Sequence, residues 1–356
     1  MILKLKLIKV FLLNFFLLLY IVQLKGTTIA AQVDEVYKAP YILMDEDYIC
    51  IFDYKLSKFV TYARKDFHKV AEFGRKGEGP GEILNSLNSM ISLYDGDLYI
   101  SHFPRVSIFS IKGKLKKEIK GPPDSGSFVP LGNNFVGMRH SQNDSMLSER
   151  TCINYCLYNR QLNMIKDVLT IEYSRFARLG KSKIQSLWVR DCFNFLVYKD
   201  KVFIGNTDKG FYFAVFDTQG KQLYEINLQY SKRPITDEFK NYVINRYREA
   251  VGEQGWNEYK ARSEIVFPEY FPAYSNFTVA DNKIYVFLYP DDPGKKQQEV
   301  YILDLKGELL KIKTIKLSFG FIGDRSRLSI YNGKSYYLYD NEETEKWEIR
   351  FDEIDD

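Results

Sequence analysis

One pattern recurs six times in this chain and limits what it can fold into: a tight polar turn running straight into an apolar strand. The copies are Asp47–Ile51 (DYICI), Asp97–Ile100 (DLYI), Asn134–Gly137 (NFVG), Asp200–Ile204 (DKVFI), Asn282–Val286 (NKIYV) and Gly333–Leu338 (GKSYYL). Asp, Asn and Gly accept the left-handed backbone that such turns need, and the apolar run that follows suits a strand. A second pattern accompanies three of the copies. Val106–Lys114, Ala214–Lys221 and Val300–Glu308 alternate as strands do, then enter a hairpin with Gly113, Gly220 or Gly307 where positive φ is required. Tyr158–Gln161 is a degenerate copy without the glycine. The full unit therefore reads strand, tight turn, strand, variable loop, strand, glycine turn, strand.

Successive first turns lie 50, 37, 66, 82 and 51 residues apart. The shorter intervals match the four-stranded blades of a β-propeller. The longer ones predict insertions at residues 171–193 and Pro234–Arg262. In the second insertion, Phe239, Tyr242, Val243, Tyr247, Ala250 and Val251 share one helical face, with Thr236 or Asp237 as cap. The sixth repeat supplies three strands, at Leu328–Tyr331, Ser335–Tyr339 and Glu345–Phe351, while Val33–Lys38 stands unpaired ahead of the first. The expected fold is all-β: a single domain over residues 32–356, a six-bladed β-propeller with four-stranded blades and one inserted amphipathic helix at about 234–262. The N-terminal strand of the mature chain, Val33–Lys38, is expected to close the ring as the outer strand of blade six. The 27 Tyr and 26 Phe agree, since both favour pleated, half-buried surfaces. A β-sandwich has no reason to repeat this unit.

Residues 1–31 are read as a signal peptide. Lys4, Lys6 and Lys9 precede Val10–Leu24, an uncharged and mostly apolar stretch of 15 residues, and small residues about Ala30 and Ala31 offer a cleavage site. Export to the periplasm or cell surface is expected, with no stable membrane span after processing. A spanning helix needs about 20 apolar residues, so a retained N-terminal anchor is the alternative. The chain carries 50 Lys+Arg against 46 Asp+Glu. The excess sits in Lys4, Lys6, Lys9 and Lys25, so the mature chain is neutral and lacks the basic footprint that nucleic acid requires. Four cysteines, Cys50, Cys152, Cys156 and Cys192, are too few for a disulfide scaffold. On a straight strand Cys152 and Cys156 would stand about 13 Å apart, beyond bonding reach, so buried thiols are the expectation.

Residues 73–83, FGRKGEGPGEI, form a loop that resembles the hallmark of secreted bacterial six-bladed β-propellers related to the NHL-repeat and TolB-like groups. Phe267–Asn276 (FPEYFPAYSN), leading into Val279–Val286, looks like the same family's entry to blade five, and Arg105–Phe109 (RVSIF) resembles an NHL third strand. The third repeat is weak and no complete NHL consensus occurs. The marks of WD40 and Kelch propellers are missing. The resemblance implies a fold and a compartment and says little about activity.

Catalytic motifs are scarce. Gly77, Gly79 and Gly81 do not have dinucleotide-loop spacing, and the run Leu179–Ser182 has Arg175 where a P-loop needs glycine. His68, His102 and His140 form no zinc-binding pair, no G-x-S-x-G elbow occurs, and Asp291–Asp292 lacks calcium-loop spacing. No metal or other cofactor is therefore expected. Topology does place a site: second-to-third-strand loops and blade crossings emerge together on one face. That face gathers 75–82, 102–105, 139–149, 206–210, 290–297 and 340–346. Arg75, Lys76, Glu78, His102, Arg105, Arg139 and His140 are the candidate ligand-binding residues. The expected function is non-enzymatic binding of a protein, peptide or glycan through this face. The alternatives are a lyase or hydrolase acting on carbohydrate or peptide at the channel mouth, and a structural subunit of an envelope complex that uses the inserted helix.

Overall fold

The computed structural model describes residues 28–33, 40–53, 55–83, 89–140, 150–174, 177–179, 183–290, 297–316 and 328–354, with Asp292 and Gly294. Strand β1 is Thr28–Val33. Blade one is β2 (Pro40–Met44), β3 (Tyr48–Asp53), β4 (Lys58–Ala63) and β5 (Lys69–Phe73). Blade two is β6 (Met90–Tyr94), β7 (Asp97–His102), β8 (Arg105–Ser110) and β9 (Leu115–Lys120). Blade three is β10 (Ser125–Leu131), β11 (Asn134–His140), β12 (Arg150–Tyr158) and β13 (Met164–Ser174). Strands β14 (Ala177–Leu179) and β15 (Ile184–Leu187) follow, and then blade four with β16 (Phe195–Tyr198), β17 (Lys201–Gly205), β18 (Phe211–Phe216) and β19 (Gln222–Leu228). Helix α1 (Asp237–Arg262) and strand β20 (Ser263–Val266) lead to blade five, β21 (Asn276–Ala280), β22 (Lys283–Phe287), β23 (Gln297–Asp304) and β24 (Leu309–Lys316). Blade six is β25 (Leu328–Tyr331), β26 (Lys334–Asn341) and β27 (Lys346–Glu353), completed by β1. The protein is a six-bladed β-propeller of antiparallel four-stranded blades.

The apolar second strands follow from burial on both faces. In β3, Ile49 and Ile51 enter the core shared with blade six, while Cys50 and Phe52 enter the core shared with blade two. In β22, Ile284 and Val286 face blade four and Tyr285 and Phe287 face blade six. Each adjacent pair of blades thus encloses its own core, and six such cores run round the ring. The sixth joins Val33, Leu338, Trp347 and Ile349 to Ile42, Ile51 and Val60, which closes the circle without a covalent bond.

The closing strand is correctly an N-terminal one, but it lies five residues earlier than Val33–Lys38. Strand β1 pairs with β27 from Thr28↔Phe351 to Val33↔Trp347, and 34–38 fall outside the described residues. Ala30 and Ala31, which look like cleavage-site residues, instead pack against the core between blades six and one. The degenerate third repeat keeps its turn because Leu162 takes the positive φ that glycine holds elsewhere, and its amide bonds Asn159 O at 2.9 Å.

The first insertion begins after Ser174 and joins the second: β14, β15 and β20 form a small sheet in which β15 and β20 run parallel. Helix α1 is capped by Thr236, whose hydroxyl accepts from Phe239 N at 3.2 Å. Phe239 and Val243 are buried with Val189, Ile235, Phe271 and Tyr289. The expected stripe stops short. Gly252 breaks the helix at φ 73°, leaving Ala250 and Val251 exposed and Trp256 buried beyond the kink. Of the face proposed for an envelope partner, Phe239 and Val243 are buried, Tyr242 and Tyr247 half-buried, and Ala250 and Val251 exposed. The four cysteines are thiols rather than disulfides, and Cys50, Cys156 and Cys192 are buried. Burial, with a hydrogen bond to Asp167, pushes the Cys156 thiol up to about 12.

Candidate functional site at the insertion seam

The residues singled out from the sequence fall into separate local arrangements. The glycine-rich crossing is a self-contained turn. Glu82 folds back to accept from Gly79 N at 2.8 Å, and its carboxyl is held below its usual range by that bond and by Arg75, which pairs with it at 2.6 Å. A Cβ on Gly77 would stand 2.0 Å from Glu82 Oε2. Arg105 pins the turn from β8 by donating to Glu78 O (3.2 Å), Gly79 O (3.0 Å) and Glu82 O (2.8 Å). Arg75, Lys76 and Glu78 are exposed. His102 is 1% exposed, bonded through Nε2 to Ser107 Oγ, which in turn donates to Glu118. Burial first, and then Arg105, lowers its pKa to about 4, so the imidazole is neutral at physiological pH. Arg139 is occupied with Asp167 of β13 at 2.9 Å. The side chain of His140 and the 141–149 loop lie outside the described residues. Arg105 thus ties the first crossing, which carries Arg75, Lys76 and Glu78, to His102, its partner across β7 and β8, while Arg139 is engaged on blade three.

A cleft lies elsewhere on the same loop-rich face. Both insertions leave the ring through blade crossings, so they stand on the face that carries the second-to-third-strand loops. Where they meet blades four and five, two lobes open. The first, about 400 Å³, is lined by Phe211, Gln229, Arg233, Leu288, Glu299 and Tyr301. The second, about 350 Å³, is lined by Gln185, Asp191, Thr207, Asp208, Val266 and Tyr270. Tyr230, Phe271 and Pro272 line both, so the two lobes adjoin at these residues and are together called the groove below. Each lobe is in the size range of small-molecule sites.

The walls are held firmly. Thr207 donates to Asp191 Oδ1 at 2.8 Å and accepts from Cys192 N at 2.7 Å, which fixes the floor of the second lobe. Arg233 donates to Tyr289 O at 2.8 Å and lies over the Phe271 ring, which stacks on Tyr289 at 5.1 Å and meets Phe239 edge-on at 4.7 Å. The outer wall is braced by Trp188, which donates to Tyr259 Oη at 2.7 Å and meets Tyr247 edge-on at 5.1 Å. Within the lining, Tyr230 and Tyr270 are exposed aromatics, at 37% and 38%. Tyr230 lies against Gly210, where a Cβ would approach its ring to 3.0 Å. Lys232 Nζ sits 5.6 Å from the centre of the Tyr270 ring, and contact with Glu269 raises the Tyr270 phenol, which stays protonated. Sequence reasoning missed this seam. The signal was present in the 82-residue interval, the longest of the five, and in the Pro-Glu-Tyr-Phe-Pro run that it contains.

Fold and cleft together define a six-bladed propeller with an insertion-walled groove on its loop-rich face. No protein-family profile matches the chain, and no curated protein matches it. Solved structures do. One is a Bacteroides fragilis protein whose name proposes export, 11% identical with a TM-score of 0.53 over 92% of this chain and 93% of that one. Another is a member of the DUF4221 family from Bacteroides vulgatus, 10% identical with a TM-score of 0.50 over 92% of this chain and 97% of that one. At these identities the likeness is one of fold. It agrees with the resemblance at residues 73–83 to bacterial six-bladed propellers and supports the NHL relation only loosely. No helix among the described residues is long and apolar enough to cross a membrane.

Proposed function

We propose that this is an exported, non-enzymatic propeller that binds a glycan in the groove between its insertion and blades four and five. The observation that carries the reading is a pair of adjoining lobes that share Tyr230 and Phe271 as lining. An extended ligand of more than one unit would cross that point. Exposed tyrosine faces offer apolar contact to the C–H faces of a sugar ring at low entropic cost. Gln185, Gln229, Arg233 and Glu299 offer donors and acceptors of both charge signs, which suits a neutral, hydroxyl-rich ligand. Thr207 is held between Asp191 Oδ1 and Cys192 N and forms part of the wall.

Glycan and peptide arrays, followed by calorimetric titration of the best hit, test the proposal. Tyr230→Ala and Tyr270→Ala are each expected to weaken glycan binding about 30-fold, the effect of removing an aromatic anchor worth about 2 kcal/mol. Arg75→Ala and Arg139→Ala are expected to leave it unchanged. Unaltered affinity in both tyrosine variants would remove the groove as the site. A loss confined to the arginine variants would move the site to the residues expected from sequence. Capture of peptides alone would overturn the ligand class.

A further inference from the structure

The residues that look most like an export cleavage site are part of the propeller's closing strand. Thr28 pairs with Phe351, Ile29 with Arg350, Ala31 with Ile349, Gln32 with Glu348 and Val33 with Trp347. Ala30 and Ala31 pack on the core between blades six and one, and Val33 is buried in it. Gln32 also reaches the side chain of Glu348, which is 1% exposed. A cut after Ala30 or Ala31 would leave only two or three of these residues. It would bare one edge of β27, an eight-residue strand carrying Trp347 and Ile349, as a template for pairing with other chains.

We infer that the mature protein begins at or before Thr28, so that processing falls between Leu24 and Thr28 or does not occur, and that Ala30 and Ala31 are structural residues. This rests on the export reading only for the processing event; the need for β1 stands on the pairing itself. The geometry adds an orientation. Strand β1 runs antiparallel to β27, and Thr28 lies at the tight-turn end of blade six. Whatever precedes Thr28 therefore joins the ring on the side opposite the groove. A retained apolar leader would leave the loop-rich face pointing away from the membrane.

The test is the intact mass and N-terminal sequence of the full-length chain, tagged at its C-terminus, expressed in a Gram-negative host and fractionated. A start at residues 25–28, or an uncut chain, is the expected result; fractionation reports separately whether the chain was exported. A folded, cooperatively melting protein that starts at Ala31, Gln32 or later would overturn the inference. Two chains made without a leader add an independent check. One beginning at Thr28 should melt like the purified native protein, and one beginning at Gln32 should melt roughly 10 °C lower or fail to fold. Equal melting of the two would overturn it as well.

Discussion

Replacing Phe213 with alanine is expected to destabilise the protein by about 3–5 kcal/mol, read from the midpoint of urea unfolding. Phe213 is fully buried in the core between blades four and five. Its ring stacks on Tyr274 at 5.0 Å and 11° and meets Phe277 edge-on at 4.8 Å. Tyr274 is held in turn by a hydrogen bond from its hydroxyl to Tyr212 O at 2.8 Å, so the surroundings cannot collapse freely into the space left behind. Phe211, two residues back on β18, lines the groove and contacts both Phe213 and Tyr274. The same substitution should therefore weaken ligand binding as well as the fold. A variant that unfolds at the wild-type midpoint would show that this seam is not a packed core.

The second large effect is expected at Gly307. Gly307→Ala should cost about 2–4 kcal/mol, because a backbone term and a steric term act together. Gly307 has φ 96°, and a Cβ there would stand 2.4 Å from Cγ2 of Ile226 on the neighbouring blade. Ile226 is itself buried, so it has nowhere to retreat. Gly96→Ala serves as the control. Its φ is 72° but a Cβ would meet nothing within 4 Å, so only the backbone cost of about 1 kcal/mol should appear. Equal losses in the two variants would mean that the glycine turns do not seat against the preceding blade.

The repeat was legible in the sequence because its two signals are local. Pairs such as Asp95–Gly96, Asp281–Asn282 and Asn332–Gly333 adopt positive φ, as their chemistry permits. Second strands such as Val202–Ile204 read as unbroken apolar runs because both faces are covered. What could not be read was whatever depends on distant partners. Ala30 and Ala31 have the same small size whether a protease or Ile349 is their neighbour. Arg75 and Arg105 read as candidate ligand-binding charges, and the structure shows both holding one turn through Glu82. The groove joins residues from 185 to 301, and only the folded crossings bring them to one place. The apolar spacing predicts helix α1, and Gly252 inside it ends the stripe.

Backbone amide hydrogen exchange of Thr28–Val33, measured on the intact protein beside β27, tests the closed ring most directly. Closure by β1 predicts that the amides of this segment bonded to β27 exchange as slowly as those of the outer strands of the other blades. Exchange of the whole segment at the rate of an open chain, with β27 equally unprotected, would contradict the ring on which the groove, its orientation and the processing limit all depend.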